Sequence, residues 1–226
     1  MALITNNHIA YNVMDGIYST NPINKIKIRS NFIYKNGYNG VRLLGGGNDT
    51  EICDNMLYDN GTALIGNNQS AILVGCGVTG GGLAFTNVKI SGNRMFDDQT
   101  TKTQQYALSI KGTFNTVANV QIENNDMTGN GTAPTFVSGT VTNIKMRNNP
   151  GYNPIGISSV TVTASPFTYT AGYSPETAYI TGGTVSSVTK SGITIASNTG
   201  VQITLEPNES IIVTYSVLPT IVSDKH

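Results

Sequence analysis

The sequence predicts an all-β protein in which a parallel β-helix of about six coils precedes a small antiparallel β-domain. Three observations lead to this prediction. An asparagine-containing motif recurs along residues 1–150 at intervals of 24 residues or of 24 plus an insertion. Short segments of alternating apolar and polar residues surround each copy. Residues 151–226 are rich in Thr, Val and Ser, in alternating segments separated by turn residues, and neither region has the apolar period of a helix.

The repeated motif places one anchor asparagine in each predicted coil. The anchors are Asn7, Asn31, Asn55, Asn93, Asn125 and Asn149. Their intervals are 24, 24, 38, 32 and 24 residues, so one coil length explains all of them if two coils carry insertions, which we place within residues 66–87 and 98–119. A repeat of this length without helical periodicity is typical of a β-solenoid, whose equivalent strands stack about 4.8 Å apart.

The residues before each anchor alternate between the interior and the surface. Positions three and five before the anchor are mostly apolar, whereas the position between them is mostly polar, as in a half-buried strand. The predicted interior row includes Ile28, Ile52 and Ile90. The predicted outward column of alternating charge is Lys27, Glu51 and Lys89.

The asparagines are predicted to hold the turns between strands. Asparagine tolerates left-handed backbone angles. Its amide can also bond to the amides above and below, which satisfies a buried polar group. A second ladder is predicted five residues after the anchors. Its members are Asn12, Asn36, Asn60, Asp98 and Asn130.

The repeat ends at the segment "NNPGYNP", so we place the domain boundary between residues 150 and 151. Segments such as "TAYIT", "TVSSVTK" and "SIIVTYSV" then predict an antiparallel β-meander over residues 151–226. A unit of this size buries little apolar surface by itself and exposes strand edges, which favours an oligomer.

Composition argues against several classes of function. Charged residues make up 12% of the chain, and 13 basic and 13 acidic side chains cancel, so we predict no nucleic-acid partner and no membrane-binding face. No apolar run is long enough to span a membrane, and the N-terminus lacks a secretory signal pattern. Cys53 and Cys76 are predicted to be reduced thiols, and the histidines His8 and His226 lie in separate regions, so no metal or cofactor is predicted.

The first predicted coil begins at Ala2 without a polar capping segment. An uncapped solenoid end exposes apolar core and unpaired strand edges. We therefore expect this chain to be the C-terminal part of a longer protein.

The 24-residue coils, the insertions, the "NNPGYNP" exit and the threonine-rich terminal region resemble the C-terminal part of phage tailspikes. The resemblance is greatest to the preneck appendage proteins of small Bacillus-infecting podoviruses, within the pectate-lyase-like β-helix superfamily. It implies a right-handed β-helix and a homotrimer locked by the terminal β-domain. It also implies a virion tail appendage, made in the bacterial host cytoplasm, that binds wall teichoic acid and degrades it in the full-length protein. The family cleaves itself near its C-terminus, and the bond between Ser223 and Asp224 resembles that junction.

An acidic cluster is the candidate for catalysis. Asp59 and Asp97 occupy equivalent positions in consecutive coils, and Asp98 follows directly. Enzymes that cleave carbohydrates place two carboxylates about 5 to 9.5 Å apart, a spacing that adjacent coils provide. Aspartates that cap turns on a solvated face would produce the same pattern.

An aromatic column is the candidate for ligand binding. Tyr34, Tyr58 and Phe96 share one predicted outward column, with Arg94 close by. Sugar rings stack on such aromatic faces. The alternative is that this column packs against a neighbouring subunit.

The first functional hypothesis is a virion adhesion component: the trimerising C-terminal section of a tailspike, with part of a teichoic-acid-binding surface. The alternative is the C-terminal part of a Gram-positive polysaccharide lyase or hydrolase on the same scaffold. Paired carboxylates in a groove would favour the enzyme. Apolar or asparagine-rich contacts about a threefold axis would favour the spike.

Overall fold

A computed structural model describes residues 1–63, 69–76, 83–152 and 156–225, and all regular secondary structure within them is β-strand. No helix in these residues is long and apolar enough to cross a membrane. The chain divides into two compact units. The first comprises Met1–Ile144 and Asn148–Tyr152, and the second comprises Lys145–Arg147 and Asn153–His226.

The first unit is a β-helix in which parallel strands stack coil upon coil. Its strands are β1 (Ala2–Thr5), β2 (His8–Ala10), β3 (Ile17–Ser19), β4 (Ile26–Arg29), β5 (Phe32–Tyr34), β6 (Val41–Leu43), β7 (Gly47–Cys53), β8 (Met56–Tyr58), β9 (Ser70–Gly75), β10 (Phe85–Ser91), β11 (Arg94–Phe96), β12 (Tyr106–Glu123) and β13 (Ala133–Arg147). They form three faces. The first face runs β1-β4-β7-β10-β12, the second β2-β5-β8-β11 and the third β3-β6-β9-β12, while β13 pairs with β12. The long strand β12 belongs to two faces because its first part pairs with β9 and its last part with β10.

Equivalent residues of successive coils meet in columns, which confirms the predicted interior row. Its members on the first face are Ile4, Ile28, Ile52, Ile90 and Ile122. Burial of one such side chain stabilises the fold by about 1.5 to 3 kcal/mol. The outward charge column is also confirmed, since Glu51 pairs with both Lys27 and Lys89, and Lys27 Nζ lies 2.7 Å from Glu51 Oε2.

The predicted ladder of anchor asparagines is confirmed. In each step, Oδ1 of one anchor accepts hydrogen bonds from the backbone N–H and the side-chain amide of the anchor in the preceding coil, at 2.9 to 3.0 Å. The amide of Asn55 also donates to the carbonyls of Ile28 and Cys53, each at 2.9 Å. These bonds satisfy polar groups that are almost completely buried, so the ladder is part of the core.

The prediction that the anchors themselves adopt left-handed backbone angles is wrong. The left-handed residue is the one before each anchor. These residues are Asn6, Ser30, Asp54, Gly92, Asn124 and Asn148, with φ between 51° and 66°. A single left-handed residue turns the chain, so that the next side chain points into the interior and reaches its ladder partners.

The second ladder differs from the prediction in one coil. Asn12, Asn36, Asn60 and Asn130 occupy it, but Gln104 replaces Asp98 as its fourth member. Gln104 accepts from the Asn60 amide at 3.1 Å and donates to Asn130 Oδ1 at 2.8 Å. An ionised aspartate has no donor for the second bond. Asp98 instead lies exposed at the start of the loop that precedes Gln104.

The stretches predicted as insertions are only partly loop. Residues 66–87 contain β9, which is buried on both of its sides, and residues 98–119 contain the first part of β12. Val41 pairs with Ile72 on the third face, and Gly47 pairs with Phe85 on the first. The extra residues therefore lie partly before and partly after β9 in the sequence.

The second unit is a sandwich of two antiparallel sheets rather than the predicted meander. Its strands are β14 (Gly156–Val160), β15 (Phe167–Thr170), β16 (Glu176–Thr181), β17 (Thr184–Lys190), β18 (Ile193–Ala196), β19 (Val201–Leu205), β20 (Ser210–Val217) and β21 (Thr220–Lys225). The sheet orders are β14-β21-β16-β19 and β15-β20-β17-β18, so most consecutive strands cross between sheets. Crossing allows the apolar side of each sheet to cover the other, and a shared core forms that includes Ala178, Ile180, Val188, Leu205 and Val213.

Candidate functional site

The second face of the β-helix presents the candidate ligand-binding residues. Its strands β5, β8 and β11 have three residues each, and their central residues Ile33, Leu57 and Met95 are buried in the core. The two flanking residues of each strand therefore point outward. One outward column is Phe32, Met56 and Arg94, and the other is Tyr34, Tyr58 and Phe96.

The predicted aromatic column is present, and its rings stack on one another. Tyr34 and Tyr58 have ring centroids 4.9 Å apart with planes 2° from parallel, and Tyr58 and Phe96 are 5.3 Å apart at 11°. Tyr11 meets Tyr34 edge-on at 5.8 Å. Burial, followed by the neighbouring Tyr34 and the charge of Asp59, raises the pKa of Tyr58. The ring faces are thus turned toward each other along the column, and the ring edges face outward.

Arg94 lies at the end of this column. Its guanidinium carbon is 4.4 Å from the centroid of the Phe96 ring, within the range of a cation–π contact. Its Nε is also 3.4 Å from Asp126 Oδ2, in an exposed ion pair. Arg94 therefore covers the terminal ring face while its side chain remains accessible to a ligand.

A groove of about 450 Å³ runs beside the Phe32 column, at the turn between the first and second faces. Its lining consists of Asn6, Ser30, Asn31, Phe32, Asp54, Asn55, Met56, Gly92 and Arg94. These residues come from four successive coils, and they combine an aromatic ring, a carboxylate and a guanidinium. Sites that hold small ligands have volumes of about 300 to 1,000 Å³ and a similar mixture of apolar and polar groups.

Of the residues that line this groove, the sequence predicted a binding role for Arg94 and a ladder role for Asn31 and Asn55. Phe32 and Met56 follow the anchors directly and precede the buried Ile33 and Leu57, so they point outward. Asp54 and Gly92 are the left-handed residues before their anchors. The sequence signal for this groove is the pair of positions directly before and after each anchor, such as Asp54 and Met56.

Two carboxylates of the acidic cluster accept backbone hydrogen bonds that hold the local fold. Asp97 is buried, and its carboxylate accepts hydrogen bonds from the backbone N–H groups of Gln99, Thr103 and Gln104 at 2.7 to 2.9 Å. This carboxylate closes the loop that carries Asp98. Asp59 is also buried and accepts from the backbone N–H of Asp98 at 3.1 Å.

The surroundings of Asp59 shift the pKa of its carboxyl group. Burial, opposed by the hydrogen bond from the Asp98 backbone and reinforced by the charges of Asp98 and Asp97, raises the pKa of Asp59. A raised pKa is the property that a general acid requires near neutral pH. The three carboxylates thus lie in one region, as the sequence predicted for consecutive coils, with different hydrogen-bonding environments.

The predicted processing junction lies in the second unit. Ser223 is buried in β21, which pairs with β14 and β16, and its hydroxyl donates to Oε2 of Glu176. Tyr169 donates to the same oxygen, and the backbone N–H of Gly172 donates to Oε1 at 2.8 Å. Burial acts to raise the pKa of Glu176, but these three hydrogen bonds outweigh it and lower that pKa. Burial and the bond to Glu176 raise the pKa of Tyr169 to about 12.

No group of three or more His, Cys, Asp or Glu side chains within residues 1–63, 69–76, 83–152 and 156–225 is arranged to hold a metal ion. Both cysteines are buried and unpaired. The second face offers aromatic ring edges, hydrogen-bonding groups and the exposed guanidinium of Arg94.

Comparison with known proteins agrees with the architecture. The family model described as "right handed beta helix region" matches residues 1–150. No curated protein matches the chain. The matched residues contain the stacked coils and the candidate face, and they make up well over half of the 226 residues. The chain therefore belongs to the right-handed β-helix family.

Proposed function

We propose that this chain is the trimerising, ligand-binding C-terminal section of a phage tailspike or tail appendage, located in the virion. The expected ligand of its second face is a host cell-wall glycopolymer, teichoic acid. The observation that carries this proposal is the groove of about 450 Å³ that crosses four coils beside Phe32 and Arg94. A groove along the coil axis suits an extended polymer, and Arg94 suits an anionic group on it.

The state of the acidic cluster favours binding over catalysis in this section. Asp97 already accepts three backbone hydrogen bonds, so its oxygens have a structural role. Polymer degradation is therefore assigned to the full-length protein. Self-cleavage between Ser223 and Asp224 belongs to the same proposal, and mass spectrometry of the purified chain tests it: a fragment that ends at Ser223 supports it, and a chain that stays intact on prolonged incubation opposes it.

Exposed apolar residues of the sandwich support the proposed homotrimer. Large apolar side chains that are 42% to 72% exposed occur on several of its strands and turns. They are Ile157, Ile193, Ile195, Ile212, Val217 and Leu218. Apolar surface of this kind marks an interaction site when it is contiguous. Light scattering should give a mass near three chains, and a stable monomer at micromolar concentration would oppose the trimer.

A retention assay on purified wall glycopolymer tests the ligand. Arg94→Ala and Phe32→Ala should each weaken retention, because one removes the accessible cation and the other the aromatic wall. Lys89→Ala is the matched control, since Lys89 lies outward on the first face. Equal retention of the wild type and all three variants would refute the groove as the binding site.

The alternative function is a polysaccharide hydrolase or lyase on the same scaffold. The raised pKa of Asp59 beside Asp97 and Asp98 favours it, because a general acid needs a carboxyl with a raised pKa and a second carboxyl group nearby. Asp59→Asn should abolish release of reducing ends or glycerol phosphate from wall polymer if the cluster is catalytic. Unchanged turnover in Asp59→Asn would eliminate this alternative.

A further inference from the structure

Two opposite charges line the groove of about 450 Å³ beside the Phe32 column: the carboxylate of Asp54 and the guanidinium of Arg94. Asp54 directly precedes the anchor Asn55, and Arg94 directly follows the anchor Asn93 of the next coil. Arg94 suits an anionic group of the proposed ligand, whereas Asp54 repels such a group. A ligand that complements the whole groove therefore has to satisfy a carboxylate as well as a cation.

The carboxylate of Asp54 extends over the next coil, the coil that carries Arg94. Gly92 directly precedes its anchor, as Asp54 does, and a Cβ on Gly92 would lie 2.5 Å from Oδ1 of Asp54. The glycine therefore leaves room for this carboxylate. Arg94 follows Gly92 by two residues, so the Cα atoms of these two residues are at most about 7 Å apart. The Asp54 carboxylate and the backbone that carries Arg94 thus lie at the same level of the coil axis.

Neither charge is neutralised by a strong partner. No Lys, Arg or His side chain among the residues that the structure describes forms an ion pair with Asp54. The side chain of Arg94 is 57% exposed, and its ion pair with Asp126 is made through Nε at 3.4 Å. Exposed ion pairs of this kind are weak, so a ligand oxyanion can compete for the guanidinium.

A ligand unit that carries both an ammonium and a phosphate complements this groove. The ammonium suits Asp54, and the phosphate suits the guanidinium of Arg94. A unit with the phosphate alone gains one attraction and meets one repulsion. We propose that the polymer segment held in this groove is zwitterionic, with its ammonium at Asp54 and its phosphate at Arg94, an inference that rests on the proposed glycopolymer ligand.

Retention of the full chain on two matched polymers tests the role of the ammonium. One is a poly(glycerol phosphate) whose hydroxyl groups carry alanyl esters, and the other is the same polymer after mild alkaline removal of those esters. The wild type should bind the esterified polymer about two- to fivefold more tightly, the effect of one exposed ion pair. Equal binding, or tighter binding of the deacylated polymer, overturns the inference. The proposed function still stands in that case if Arg94→Ala weakens the binding.

Asp54→Asn tests whether this carboxylate causes the preference. Asparagine already occupies the corresponding left-handed position in three other coils, at Asn6, Asn124 and Asn148, so the variant keeps the turn. It should lose the preference and bind the deacylated polymer more tightly than the wild type does, because a repulsion is removed.

Asp49→Asn is the matched control. Asp49 is also exposed and left-handed, with a φ of 58° against 57° for Asp54, but it does not line the groove. This variant should show the same preference as the wild type. A preference that survives in Asp54→Asn overturns the inference. Failure of the wild type to bind either polymer overturns the proposed ligand together with it.

Discussion

Replacement of a buried ladder asparagine tests the central physical claim about this fold. In Asn55→Ala, the two N–H donors of Asn31, its backbone N–H and its side-chain amide, lose the Oδ1 atom that lies 3.0 Å from each of them. The carbonyls of Ile28 and Cys53 lose a donor at 2.9 Å. Asn55 is 2% exposed, so water does not replace these partners.

The expected loss in the free energy of unfolding of Asn55→Ala follows from the number of hydrogen-bond donors left without a partner. A buried donor that loses its acceptor costs about 1 to 3 kcal/mol, and a satisfied bond contributes about 0.5 to 1.5 kcal/mol net. Two orphaned donors, with partial relaxation around the small cavity, give an expected loss of about 3 to 5 kcal/mol in the free energy of unfolding. For a chain of this size each 1 kcal/mol lowers Tm by roughly 2 to 4 °C.

Asn7→Ala is the matched control, because Asn7 is the same residue type in the same ladder but is exposed in the first coil. Its amide donates to Thr5 and Asn31, and water can take over that contact, so we expect a loss of about 1 kcal/mol or less. Guanidinium unfolding followed by circular dichroism measures both variants, with comparison of midpoints and slopes. Losses that agree within about 0.5 kcal/mol would refute the claim that buried ladder bonds stabilise the coils.

Two further predictions concern the sandwich and the coil turns. The pKa of Glu176 is lowered from 4.5 in the folded chain, so its contribution to stability is complete above about pH 4.5 and is lost as the pH falls below that value. Glu176→Gln should flatten this pH dependence in urea midpoints between pH 3 and 6, and a slope equal to that of the wild type would contradict it. Gly47→Ala should cost several kcal/mol, because a Cβ there lies 1.7 Å from the Ile23 carbonyl oxygen at a φ of 133°. Gly200→Ala has open space and should cost about 1 kcal/mol from its left-handed angle alone, so equal Tm losses would count against the steric argument.

The sequence by itself determined the architecture of the coils. The 24-residue spacing from Asn31 to Asn55 fixed which residues stack, because equivalent positions of a solenoid meet at the strand spacing whatever the loops do. The same periodicity fixed the interior row at Ile28, the charge pair of Lys27 with Glu51, and the outward position of Tyr58. These are short-range consequences of a repeat, and they need no knowledge of how distant segments pack.

Other features were decided only by the tertiary structure, because an insertion changes where the chain rejoins the stacked coils. An insertion removes the register that made the repeat readable, so Gln104 could not be recognised as the residue that takes the place of Asp98 in the ladder. The left-handed angle at Asp54 rather than at Asn55 depended on which side chain must point inward. Ring orientation in the aromatic column was decided by the stacking distance between coils, which turns the face of Tyr58 toward Tyr34 instead of toward a ligand.

In the second unit, the sequence predicted strands but not how they pair. Alternating segments such as "TAYIT" and "SIIVTYSV" predicted strands. Strand pairing in a sandwich joins residues far apart in sequence, however, and no repeat specifies it. The ion pair of Arg42 with Asp15 likewise joins residues of different coils. Periodicity determines which side of a strand a residue occupies, whereas long-range packing decides which charged groups come into contact there.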